Sequence, residues 1–106
     1  MSGASGSYSL PIENFSCEKL VITTVLTNPV MAIIQNLHIG DILDIEIVPN
    51  TGVIAKANSQ TAGIVQVGSY TMDKLIDCID GGTVYIGTVM DLDITNGVCR
   101  IKISVP

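Results

Sequence analysis

A single stretch constrains this chain more than any other: Gly40-Asp41-Ile42-Leu43-Asp44-Ile45-Glu46-Ile47-Val48. Leu43, Ile45 and Ile47 take one parity; Asp44 and Glu46 take the other. Successive Cβ atoms of a strand point to opposite faces, so a period of two predicts one buried and one wet face. Cys99, Ile101, Ile103 and Val105 alternate with Arg100, Lys102 and Ser104 in the same way, after the hairpin dipeptide Asn96-Gly97. The charges fall where a solvated strand face needs them and do not gather into a site.

Further elements follow from local chemistry. Leu20–Leu26 reads as a strand, ended by Asn28-Pro29. Asn is a good helix cap and Pro suits the first helical position; Val30, Ile33, Ile34 and Leu37 then form an amphipathic stripe, closed by His38 and Gly40. Pro49-Asn50-Thr51-Gly52 is a turn, and Val53–Asn58 returns as the hairpin partner of the opening strand. A second turn over Ser59-Gln60-Thr61 leads to a third strand, Ala62–Val67, with Gly63 as a bulge candidate. Ser69 caps a second helix with the stripe Met72, Leu75, Ile76 and Ile79, stopped by Gly81-Gly82. Val84–Ile94 is a long strand with a bend expected at Gly87. The order is β-α-β-β-β-α-β-β, a mainly β fold. It predicts a small six-stranded barrel or a strongly bent antiparallel sheet with two short helices.

The length suits one domain. Residues 1–9 read as a flexible Gly/Ser-rich tail and 10–106 as the domain, with Ile12 and Phe15 available to tuck against the core. Apolar residues make up 47% and charged ones 14%, which excludes a disordered chain. The net charge is −5, with ten acids against five bases. Nucleic-acid binding depends on neutralising phosphates, so the balance disfavours it, and an anionic membrane surface with it. There is no signal-peptide pattern at the N-terminus and no run of roughly 20 apolar residues. The three cysteines, Cys17, Cys78 and Cys99, include no close pair. They read as free thiols, two of them on buried faces, and point to a reducing cytoplasm.

Catalytic and metal readings find few parts. His38 is the one histidine, so no nucleophile-base-acid set can be assigned; the chain is read as not an enzyme. Asp91 and Asp93 share a strand face about 7 Å apart, a loose seat for a hard cation at best, and no metal or cofactor is expected. Two features suggest contact with protein. Asp73, Asp77 and Asp80 line one side of the second helix, and Asp80 lies at the end the helix dipole disfavours for an acid. Both parities of 84–90 are apolar, so one face needs cover; with Val84 and Ile86 inward, Tyr85 lies outside as a contact residue.

Two resemblances bear on function. Gly40-Asp41-Ile42-Leu43 opens a strand, and Val53-Ile54-Ala55-Lys56-Ala57 stands where an Ala-Ile-x-Val strand would. Ala62-Gly63-Ile64-Val65 is similar to a Gly-x-Ile/Val-Gly-Tyr turn, and Leu75 to Gly82 to a helix-Gly step. Together they resemble the HIRAN domain, a small β-barrel with helical insertions found beside helicase modules. The resemblance implies nucleic-acid binding, with Lys56, Arg100 and Lys102 as phosphate contacts. Leu37 to Glu46 also resembles the opening of AbrB-type swapped-hairpin regulators. The leading expectation is a non-catalytic binding or accessory module, acting through a protein partner or self-association.

Overall fold

A computed structural model describes residues 16–106. The expected tail, and Ile12 and Phe15 with it, lie outside the described residues. A short 3-10 turn, Cys17–Lys19, leads into β1 (Ile22–Val25). One turn of helix, α1 (Met31–Ile34), precedes β2 (Ile42–Val48), β3 (Gly52–Ala57) and β4 (Gln60–Val65). Helix α2 (Ser69–Asp80) then leads to β5 (Ile86–Asp93) and β6 (Val98–Ser104). The expected order of elements is the observed one.

The strands form one antiparallel sheet in the order β1-β6-β5-β2-β3-β4. It curls into a half-barrel, and its two edge strands meet along a short seam. Just beyond β1, Thr27 and Ile64 of β4 exchange two backbone hydrogen bonds of 2.8 Å, and the Val30 amide donates to Ala62 at 2.8 Å. Thr24 Oγ1 donates to the Gln66 carbonyl at 3.3 Å. Pairing the edges in this way removes part of an otherwise exposed template for association.

Two irregularities supply the curl. The β3–β4 register shifts between Ala55 and Lys56, leaving Ala62 as the extra residue on β4, one position from the expected bulge at Gly63. The β5–β6 register shifts between Val89 and Asp91, leaving Met90 extra. A bulge bends and twists the strand that carries it. Gly63 instead makes room: a Cβ there would lie 2.9 Å from Leu26 Cβ, so its lack of a side chain admits Leu26 to the seam.

The seam also shortens α1. Asn28 does not cap it but adopts φ 50°, and the Val30 amide is drawn to β4. Tertiary pairing therefore takes the residues that would have made the first turn. Ile34 is buried, with Ile33 and Leu37 partly buried against the core. Helix α2 keeps its apolar stripe, burying Leu75 and Cys78, and ends where the Gly82 amide donates to Ile79 and the Thr83 amide to Cys78. Carbonyls of the last turn are thereby satisfied. Leu43, Val53, Val89, Ile101 and Ile103 form the fully buried interior of the sheet.

Candidate functional site

Strand β5 decides which residues can meet a partner, and its sides are the reverse of the expected ones. Tyr85 and Val89 point inward with Gly87, and Tyr85 is only 2% exposed. The reason is Gly87. A Cβ there would lie 3.0 Å from Ile101 Cδ1 and 3.1 Å from Ile45 Cδ1, so these two side chains occupy its space. The inward parity is thus the one that contains the glycine. Tyr85 Oη donates a 2.6 Å hydrogen bond to the Cys17 carbonyl, and burial pushes its pKa above the ordinary value. Tyr85 is therefore no surface contact.

The outward parity carries the apolar face instead. Val84 is 68% exposed, Met90 45% and Ile42, which pairs with Thr88 of β5, 54%. Ile86 lies between Val84 and Thr88 on the same side, partly covered. Ile33 and Ile34 of α1 and Met72, Leu75, Ile76 and Ile79 of α2 pack on the core, and Val84, Met90 and Ile42 stay open to solvent. Diagonal neighbours on adjacent strands lie within reach of long side chains, so Ile42, Ile86 and Met90 present one patch.

Asp73, Asp77 and Asp80 are all exposed along α2, as their spacing predicts. The ammonium of Lys74, in the same helix, lies 5.3 Å from the ring centroid of Tyr70. The three basic candidates do not stand together. Arg100 and Lys102 share the outer face of β6, paired in register with Asp91 and Thr88 of β5. Lys56 lies on β3, about 14 Å away by strand spacing, and its ammonium meets Glu46 at 3.4 Å. Arg100 and Lys102 alone could touch a phosphate chain together.

His38 is exposed; its amide donates to Asp41 Oδ2 at 2.8 Å, which fixes a turn. Asp93 has a local role too. Its carboxylate accepts from Asn96 Nδ2 at 2.8 Å and from the Asn96 amide at 3.1 Å, and these bonds hold its pKa below the usual value. Among the described residues no three His, Cys, Asp or Glu side chains stand where they could hold a metal. A cleft of about 310 Å³ lies between α2 (Met72, Ile76), the β2–β3 turn and the end of β4, lined by no titratable side chain. Two smaller clefts of about 240 and 190 Å³ adjoin Leu37, Asp41 and Ala57.

The cysteines require a correction. Cys17 and Cys78, 61 residues apart, form a disulfide with their Cα atoms 5.7 Å apart. Their separation in the chain concealed the pair; the turn before β1 brings Cys17 to the last turn of α2. Cys99 alone is free, buried in the core, and burial raises its pKa. The reading of three free thiols therefore fails. No helix among the described residues is long and apolar enough to cross a membrane.

No protein-family model matches this chain, and neither a curated protein nor a solved structure matches it.

Proposed function

We propose that this protein is a non-catalytic binding module that recognises another protein, or a second copy of itself, through the outer face of β5 and β2. The open stripe of Val84, Ile86, Met90 and Ile42 carries this reading. Large apolar side chains grouped on one face mark contact surfaces more often than scattered ones do. The test compares wild type with Ile42→Asp and Met90→Asp in sedimentation velocity and in affinity enrichment. A partner or dimer held by the wild type and lost by both variants supports the reading. Equal behaviour of all three proteins removes it.

A HIRAN-like nucleic-acid-binding role is the second reading, favoured by Arg100 and Lys102 on one face of β6. A salt-dependent gel shift with single-stranded and duplex DNA tests it, and absence of binding at low salt excludes it. An AbrB-like swapped hairpin is the third. The disulfide also favours an oxidising compartment over the cytoplasm for this protein.

A further inference from the structure

We propose that the Cys17–Cys78 disulfide is a reducible latch, which releases the turn before β1 from the end of α2 while the half-barrel stays folded. The turn Cys17–Lys19 buries no residue of its own. Among the described residues it is held by the bridge, by the Tyr85 hydrogen bond to Cys17, and by the partial packing of Cys17 and Leu20 on the core. No strand pairing of the sheet passes through it. β1 pairs with β6 from Ile22 to Val25, and the seam at Thr27 closes independently.

The two sulfurs are unequal. Cys78 is 2% exposed, whereas Cys17 is only partly covered. Access decides which sulfur a thiolate attacks. A dithiol reductant therefore attacks Cys17 Sγ, and the S–S bond breaks with Cys78 leaving as the thiolate, which takes up a proton. The second thiol of the reductant then attacks the mixed disulfide and expels the Cys17 thiolate, which is protonated in turn. Two electrons and two protons pass to the cysteines, and the dithiol becomes a disulfide. Cys78 remains beside Leu75 as a small apolar thiol. The Tyr85 phenol loses its carbonyl partner and faces the surface that the turn had covered.

The third cysteine reports on the test. The purified protein is titrated with a dithiol under native conditions and pulsed with a maleimide, and labelling is mapped at each cysteine. Hydrogen exchange is followed at the amides of Lys19 and Leu20, which bond to Ser16 and Cys17, and at Leu43 and Ile101 in the core. The latch requires no labelling before reduction. After reduction it requires Cys17 labelled first, Cys99 labelled far more slowly, and exchange at Lys19 and Leu20 at least tenfold faster, with Leu43 and Ile101 still the slowest amides because they exchange only through global unfolding. Cys17→Ser must give the same exchange pattern without reductant. Cys99 labelled together with Cys17, or a Cys17→Ser chain that does not fold, would show a global staple and overturn the proposal. Unchanged exchange at Lys19 and Leu20, or free Cys17 in the purified protein, would also overturn it.

Discussion

The phenol of Tyr85 donates to the backbone carbonyl of Cys17, 68 residues earlier, at 2.6 Å. This bond joins the residue just before β5 to the same turn that the disulfide joins to α2. It also satisfies the one polar atom of a ring that is otherwise packed in the core. Tyr85→Phe keeps the packing and removes the bond. The expected loss is about 1 kcal/mol of unfolding free energy, read from the midpoint of urea denaturation at an unchanged slope.

The same residue gives an alkaline signature. Burial raises the Tyr85 pKa above its ordinary 10.0, so the folded state holds this proton more tightly than the unfolded chain does. The associated stability is present in full below pH 10 and is lost as pH rises through the raised value. Cys99 is shifted in the same sense. The difference between wild type and Tyr85→Phe isolates the tyrosine: their stabilities should converge as pH climbs above 10. A gap that stays constant would exclude a titrating Tyr85.

Two glycines admit a graded test of the curl. At Gly63 a methyl would meet Leu26 Cβ at 2.9 Å, an atom that moves only with its backbone. At Gly87 it would meet the terminal Cδ1 atoms of Ile101 and Ile45, which can rotate away. Overpacking costs roughly 1–3 kcal/mol. Gly63→Ala should fall at the upper end and Gly87→Ala at the lower. Gly63→Ala should also speed hydrogen exchange at Thr27 and Ile64, the seam amides.

These positions show what could be read in the chain beforehand. β2 spans Ile42–Val48 as its alternation predicts, because charges mark one parity without ambiguity. β6 and the stripe of α2 were legible for the same reason. β5 was not, since both parities of 84–90 are apolar and Met90 resets the register. The position of Gly87 was the available signal: a glycine tolerated mid-strand marks the crowded side. The disulfide left no local trace, because only the folded path brings Cys17 to Cys78. Asn28-Pro29 promised a longer helix, but the seam with β4 outweighed a local cap.

Asp93 sets a limit on acid stability. Its bonds from Asn96 lower its pKa below the ordinary 3.8. The stability tied to that shift is present above pH 3.8 and is lost as pH falls through the lowered value. Asp93→Ala should therefore lower the thermal midpoint near pH 6 and narrow its difference from wild type in strong acid. It should also loosen the hairpin before β6, seen as faster exchange at the Asn96 amide.

Removal of the bridge measures how far the fold can stand alone. Cys17 and Cys78 are 61 residues apart, so the bridge closes a long loop in the unfolded chain. Chain-entropy reasoning assigns a loop of that size roughly 4 kcal/mol. Domains of this size are stable by about 5–15 kcal/mol, so the loss is large without abolishing the native state. Cys17→Ser should lower the unfolding free energy by about that amount, read as a lower urea midpoint, while retaining a cooperative transition and a β-type circular dichroism spectrum. Most of the change should lie in the unfolded ensemble, since the turn contributes no buried residue. The slope of the transition should rise slightly, because an uncrosslinked chain exposes more surface on unfolding. A loss well under 1 kcal/mol would mean that the bridge constrains little in the unfolded chain.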